Sequence, residues 1–295
     1  MAELALDRPS TRTGRLSASF KRGGARLWIG AVLVAILVLA ALFAPVIAPH
    51  DPAEQDLLST QLPPAWLKGG EAAYPLGTDS LGRCVLSRLI YSARTAVAVA
   101  LIAATLAALI GLALGLLAGT FGGWIDQAIS RLIDVWMAFP PVLLSIVLAA
   151  VIGAGLTSVI AAIVVVDWTR FARVVRAETM VQLKRDYAAA ARIIGMTRGA
   201  TLRLEILPNL VPLIVTLLAV EMGIAILVEV ILSFVGISVA GDTATWGSMI
   251  AEGRQIVYQA PWIMALPIGC IIASVIGLNL FGDGLRLALD PVQRR

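Results

Sequence analysis

The sequence predicts an all-α membrane protein, a polytopic bundle of six transmembrane helices with short connections. Three observations predict it. The 295 residues are 59% hydrophobic and 14% charged, with a mean hydropathy of +0.90, far from the composition of a soluble domain. Apolar runs long enough to cross a hydrocarbon core, which takes roughly 20 residues of helix, recur along the chain. The positive charges gather in segments that an even number of crossings puts on one side of the membrane.

In chain order, residues 1–27 form a basic leader with Arg8, Arg12, Arg15, Lys21, Arg22 and Arg26. The first span follows at 28–48, and its apolar run of roughly 20 residues exceeds the usual signal-peptide core of about 7–15. It is therefore read as a retained anchor, in an N-terminal unit of residues 28–90. Segment 45–82 is rich in proline and glycine with few apolar residues to bury, which predicts an irregular excursion. Residues 81–91 are read as an interfacial helix leading into the second span, 93–118. There Gly111, Gly115 and Gly119 recur every four residues on one helix face, a pattern that lets two backbones approach closely within the subunit.

The third span is placed at 129–152, a short fourth at 156–168, the fifth at 210–235 and the sixth at 262–285, all within a core unit of residues 91–290. Between the fourth and fifth lies a polar loop, 170–209, carrying Arg170, Arg173, Arg176, Lys184, Arg185, Arg192, Arg198 and Arg203. This loop, the leader and the terminal Arg294 and Arg295 fall on one side, the cytoplasmic one by the positive-inside rule. Segments 50–91 and 236–261 then lie outside. The first holds Asp51, Glu54, Asp56, Glu71 and Asp79 against Lys68, Arg83 and Arg88. The pI of about 9.4 is thus a signal of topology rather than of nucleic-acid binding. Cys84, in the outer loop, and Cys270, in a span, are read as free thiols.

Within the loop, residues 183–194 are read as a short alanine-rich helix stopped by Gly195 in a left-handed conformation. Thr197 then caps a second short helix reaching about Ile206, and Pro208 opens the fifth span, where its missing N–H is tolerated. The small side chains at Ala188, Ala189, Ala190 and Ala191 suit a helix lying in a groove of another protein. The bland alternative is an amphipathic loop helix, and periodicity does not separate the two.

The sequence has no G-x-x-x-x-G-K-[ST] loop, no H-E-x-x-H site and no G-x-S-x-G elbow, and His50 is its single histidine. A nucleotide-binding site, a multi-histidine metal site and imidazole-based catalysis are excluded on these grounds. Asp167, Glu221 and Glu229 fall within predicted spans, where carboxylates are costly and face a cavity or a partner. Glu221 and Glu229 stand about 80° apart around a helix of 3.6 residues per turn, which makes both candidates for a translocation path. A proton-coupled secondary transporter relaying through them is the rival reading, although such proteins usually carry more spans and an internal repeat.

The loop resembles the EAA loop of ABC importer permeases: Glu-Ala-Ala, three residues, Gly, nine residues, Ile, one residue, Leu-Pro. Ala190, Ala191, Gly195, Leu207 and Pro208 match in register, Ala189 replaces the glutamate, and Glu205 stands at the isoleucine with Ile206 one later. The blocks PLGTDSLGRCVLSRLIYSAR, DVWMAFP, FARVVRAE, ILVEVILSFVGI, TWGSMIAEGR and NLFGDGLRLALDP, spread over 75–291, are similar to the dipeptide/oligopeptide/nickel permease family in its DppC/OppC-like branch. The resemblance implies a type I ABC importer permease fold, in a bacterial inner membrane with both termini cytoplasmic. It implies a non-catalytic subunit that binds no cofactor, while ATP and Mg serve two separate ATP-binding subunits. The other implied partners are a second permease subunit of the DppB/OppB-like kind and an extracytoplasmic substrate-binding protein.

By the same resemblance the loop is a coupling helix, with Asp186, Ala189, Ala190, Ala191, Arg192, Gly195, Leu207 and Pro208 meeting the ATPase. Gly77, Thr78, Asp79, Trp246 and Gly247 are the candidate contacts for the binding protein. Peptide is the first substrate expected, with nickel complexes and glutathione-like compounds as alternatives in the same importer class.

Overall fold

The structure is a computed structural model that describes residues 24–238 and 243–289. Arg8, Arg12, Arg15, Lys21, Arg22, Arg294 and Arg295, on which part of the topology reading rests, lie outside the described residues. Among the described residues the only strand-like pairing is a single antiparallel bridge between Thr78 and Cys84. The helices are α1 (Gly24–Leu42), α2 (Ala44–Ile47), α3 (Val85–Phe121), α4 (Gly123–Met137), α5 (Pro141–Ile152), α6 (Leu156–Gln182), α7 (Asp186–Ile193), α8 (Arg198–Thr201), α9 (Leu207–Phe234), α10 (Trp246–Gln255) and α11 (Pro261–Leu289), with a π-helical turn, Leu202–Ile206, joining α8 to α9.

The all-α reading holds, and four elements differ from the expectations in detail. The first span ends at Leu42, and the short α2 follows with a proline in its first turn. The interfacial helix expected at 81–91 is no separate element: α3 starts at Val85 and runs 37 residues without a break. No glycine or proline falls between Val85 and Ile110 to interrupt it, and alanine, the strongest helix former, dominates its middle. The single span expected at 129–152 is two helices, α4 and α5, bent by 85°. Pro140 and Pro141 stand at the bend, where a proline ring clashes with the preceding turn and holds its own predecessor extended. The short fourth span is the first half of α6, which continues to Gln182.

That continuation puts Arg170, Arg173 and Arg176 on a helix rather than in a loop, and the ion pairs show why. Arg176 meets Asp126 of α4 through two donors, one at 2.8 Å, and Arg173 lies 3.3 Å from Asp134. The elbow proper therefore begins near Leu183.

Among the described residues, four helices are long and apolar enough to cross a membrane: α1, α3, α11 and the continuous helix Arg198–Phe234. The α4–α5 pair is a fifth if it forms one broken span. Helix α6 has the length, at 27 residues, with charges along its second half.

The glycine seam packs α3 on α6 of the same chain with the two helices running parallel, since the contacts step forward together along both. A Cβ at Gly111 would stand 2.5 Å from the Trp168 carbonyl oxygen, one at Gly115 2.8 Å from that of Ala172, and one at Gly119 2.8 Å from Thr179 Cβ. Gly30 and Gly284 likewise bring α1 against α11. One buried cluster joins Leu37, Val85, Ile226, Met249 and Ile263 from α1, α3, α9, α10 and α11. A second joins Val99, Ala149, Ile163 and Leu232 from α3, α5, α6 and α9. The bundle has an elbow end, at α7, and a loop end, where segment 48–84 and α10 meet.

Candidate functional site

The elbow is built by local rules. Helix α7 starts after Arg185, whose backbone is extended, and carries Asp186 in its first turn, a favourable place for a carboxylate on the helix dipole. It stops in a Schellman arrangement: Gly195 N–H donates to Arg192 C=O and Met196 N–H to Ala191 C=O, with Gly195 at φ +85°. The left-handed stop expected at Gly195 is therefore present. Thr197 caps α8 by accepting from Ala200 N–H at 3.3 Å.

The second short helix does not end before Pro208. It passes through the π turn into α9, so that 198–234 is one helix. The wider π turn accommodates Pro208 just after it, in the first turn of α9, where a regular helix would press the ring on the carbonyl four residues back. The Asn209 amide donates to Glu205 C=O at 2.7 Å, giving that carbonyl a side-chain donor.

The alanines divide between two faces, as a period of 3.6 requires. Ala188 and Ala191 are buried, Ala188 in one cluster with Ile206 and Leu210, so of the four alanines read as suiting a groove on another protein these two are turned into the chain instead. Ala189 and Ala190 are exposed, continuous with Ile193 and Ile194, which are 85% and 76% exposed. Arg192 turns back along its own helix, donating to Ala188 C=O at 3.2 Å and Leu183 C=O at 2.6 Å, and so ties α7 to the end of α6. Leu207 is half-buried, and Pro208 and Asp186 are exposed. Tyr187 donates its hydroxyl to Gln182; burial pushes that hydroxyl above its usual range, which keeps it a neutral donor. The outer face of the elbow is thus a small apolar ridge with a carboxylate at one end.

At the loop end, four charges close a buried network. Asp79 accepts from the backbone N–H groups of Leu81 and Arg83 at 2.9 and 3.0 Å and from Arg83 Nε at 2.8 Å, and it also pairs with Arg88. Glu252 of α10 accepts from Arg83 Nη2 at 2.8 Å, Arg88 Nη1 at 2.6 Å and Arg88 Nη2 at 3.0 Å. The tetrad is neutral as a whole, and three of its members are nearly inaccessible (Asp79 1%, Arg88 3% and Arg83 8%). It fastens segment 75–84 and the start of α3 to α10.

Beside it Thr78 bridges Leu62 N–H, accepted at 2.9 Å, and Ser59 C=O. Trp246 donates from its indole to Leu89 C=O at 3.2 Å. Gly247 is pressed on α9, where an added Cβ would meet Val230 C=O at 2.3 Å. Gly77, Thr78, Asp79, Trp246 and Gly247 therefore form one connected but buried patch. Next to Ser59, which Thr78 holds, the chain exposes Leu57 and Leu58. The sequence reading missed Arg83, Arg88 and Glu252; two arginines at the entrance to an apolar helix were the available signal, since such charges require partners.

Glu221 and Glu229, expected to share a side, are separate. Glu221 shares the Arg170 guanidinium with Asp167, at 3.2 Å in each case. Glu229, 1% exposed, accepts from the hydroxyls of Ser233 and Ser238. The Ser238 carbonyl in turn accepts from Gly155 N–H at 3.0 Å, which holds the α5–α6 turn to the end of α9. Cys84 and Cys270 are free thiols.

Apolar helices around a close-packed bundle, with an exposed elbow leading into two of them, define a polytopic α-helical membrane protein. Residues 111–295 match the family described as "Binding-protein-dependent transport system inner membrane component", and residues 26–64 match the "N-terminal TM domain of oligopeptide transport permease C". The chain belongs to this family of transport permeases. It is 41% identical over 267 residues to the di/tripeptide transport system permease protein DppC of Pseudomonas aeruginosa, covering 89% of this chain and 86% of the relative. It is 41% identical over 273 residues to the dipeptide transport system permease protein DppC of Escherichia coli (strain K12), covering 92% and 90%. It is 38% identical over 264 residues to the glutathione transport system permease protein GsiD of Shigella dysenteriae, covering 88% and 84%.

Proposed function

We propose that this chain is one of two permease subunits of a binding-protein-dependent ABC importer for di- and oligopeptides, lining half of the path. The carrying observation is the elbow: an apolar ridge of Ala189, Ala190, Ile193 and Ile194, rigidly joined to α6 and α9, exposed at one end of the bundle. Such a ridge fits a groove on a separate ATPase and passes its movement to both helices. In this reading α1, α3, α4–α5, α6, α9 and α11 are six spans, the charged half of α6 faces protein or water, and the elbow end is cytoplasmic. The ATP and Mg belong to two partner subunits, and an extracytoplasmic protein delivers substrate to the loop end. Because Gly77, Thr78, Asp79, Trp246 and Gly247 are buried, they shape the mouth, and the exposed residues around them make the contact.

Peptide is the substrate class assigned, on the names of the relatives at 41% identity. Glutathione, the cargo named for the relative at 38%, is itself a peptide-like acid and stays within that class. A proton relay is disfavoured because the matched family is one of binding-protein-dependent transport, and because secondary transporters usually carry more spans and an internal repeat.

Replacing Ile193 and Ile194 together by aspartate is expected to lower co-purification of the ATPases by about tenfold or more, equivalent to about 1.4 kcal/mol, with the permease itself still folded. Gly195→Trp is expected to act in the same direction through the backbone. An added Cβ there meets nothing within 4 Å, so the cost is that of a left-handed residue, about 1–2 kcal/mol. Wild-type ATPase recovery and uptake in both variants would refute the coupling role.

Glu229 acts in this reading as a tie between α9 and the Ser238 turn, whereas Glu221 and the half-exposed Arg170 are the residues nearest the path. Glu229→Gln keeps an acceptor for both serines and is expected to change peptide uptake by less than about twofold, or about 0.4 kcal/mol on the barrier. A tenfold loss with normal expression would move Glu229 into the path.

A further inference from the structure

Five arginines on or beside the bundle helices, Arg83, Arg88, Arg170, Arg173 and Arg176, each face a carboxylate. Arg94 of α3 faces none among the described residues. It is exposed, and its guanidinium lies over the Tyr91 ring at 5.7 Å, which orients the group without neutralising it. An unpaired guanidinium on a membrane helix is costly, and it is stabilised by an anion at the headgroup level. Helix α3 is about 55 Å long against a hydrocarbon core of about 30 Å. Its first turns therefore stand clear of hydrocarbon, and Arg94, nine residues in, falls near the boundary.

Two cavities meet at this arginine. On one side is a chamber of about 460 Å³ bounded by Pro52, Tyr91, Thr95 and Thr243, with Arg94 in its wall. On the other is a groove of about 600 Å³ between α1, α3, α9 and α11, walled by residues such as Val38, Val97, Leu101, Leu218 and Met222, with Arg94 as its only charged residue. A chamber whose wall includes Tyr91, Thr95 and Thr243, a cation and an aliphatic groove in series match the parts of one molecule: an anionic headgroup, its phosphate and an acyl chain. A peptide is a poorer match, because among the described residues no carboxylate lines either cavity to receive its ammonium group.

We propose that Arg94 and this groove form a specific site for an anionic phospholipid of the leaflet at the loop end, with the phosphate on the guanidinium and one acyl chain between α1, α3 and α9. Guanidinium is suited to this, since its planar donor fork pairs two phosphate oxygens at once. The site would hold α1, which reaches the bundle mainly through α11 and α3, against the helices that move with the elbow.

The test is native mass spectrometry of the full-length chain in the complex in which it purifies, with phosphatidylglycerol or phosphatidylcholine of identical acyl chains added. The wild type is expected to retain phosphatidylglycerol in preference. Arg94→Gln should lower that retention by about fivefold, the effect of roughly one cation at a membrane surface, and Arg94→Lys should restore part of it. Ala98→Trp, which fills the groove and leaves Arg94 in place, should reduce retention of both lipids. Equal retention of the two lipids by the wild type, or an undiminished preference in Arg94→Gln, overturns the proposal. So does displacement of the lipid by a dipeptide, which would make the groove part of the path. Loss of a co-purifying membrane subunit from Arg94→Gln with lipid retention intact would assign the groove to that subunit instead.

Discussion

Asp79→Ala is expected to destabilise the chain by about 3–5 kcal/mol, the range found when one partner of a buried ion pair is removed. Arg83 and Arg88 would be left sharing Glu252 alone, with one excess positive charge in a site where Arg88 is only 3% accessible. The backbone N–H groups of Leu81 and Arg83 would lose their acceptor as well. The readout is thermal unfolding of the purified protein in detergent, with folded yield as a second measure. Asp79→Asn separates the parts of this effect, because its amide oxygen keeps an acceptor for the two backbone donors while its NH2 removes the charge and the acceptor that serve Arg83 and Arg88; it should fall between wild type and Asp79→Ala. Arg88→Met combined with Asp79→Leu should recover part of the loss by replacing one opposed pair with apolar volume. If Asp79→Ala melts within about 1 kcal/mol of wild type, the tetrad is solvated in reality and its role as a fastening fails.

The same tetrad shows which parts of the molecule were legible in the sequence. The bundle was, because a membrane span is written in composition and needs no knowledge of its neighbours. The Gly195 stop and the Thr197 cap were also legible, since each is decided within a few residues. The seam of Gly111, Gly115 and Gly119 was legible as a face, and the structure supplies its partner, α6. The long-range pairs were hidden. Asp79 and Glu252 are far apart in the chain, and nothing in either neighbourhood points to the other.

The extent of α6 was hidden for a related reason. Arg173 and Arg176 read as loop residues until Asp134 and Asp126 are brought alongside them. The bend at Pro140 and Pro141 was open to view in the sequence, and the apolar residues on both sides masked it. The faces of α7 needed the position of Ile206 and Leu210 before Ala188 could be separated from Ala189.

These connections form a continuous mechanical line. The elbow is tied to α6 by Arg192, α6 is seated on α3 along the glycine seam, and the start of α3 carries Arg88, which with Arg83 just before it grips α10. Gly111→Leu should break this line at its middle. The first atom of the new side chain would stand 2.3 Å from Phe171 Cβ and 2.5 Å from the Trp168 carbonyl oxygen, and a backbone atom cannot rotate away as a side-chain tip can. The helices must separate, so the cost should reach or exceed the upper end of the about 1–3 kcal/mol usual for overpacking. Gly269→Ala in α11 is the matched control. It meets nothing within 4 Å and should be neutral or stabilise by up to about 1 kcal/mol through helix propensity. If Gly111→Leu and Gly269→Ala unfold at the same temperature, the α3–α6 contact is looser than the structure shows. Gly111→Ala adds a distinction between fold and transport: a variant that still folds, with α6 displaced by the width of one methyl group, should retain ATPase binding at the elbow. Its uptake should fall relative to ATP hydrolysis, because movement entering at α7 would no longer be delivered in register to α3.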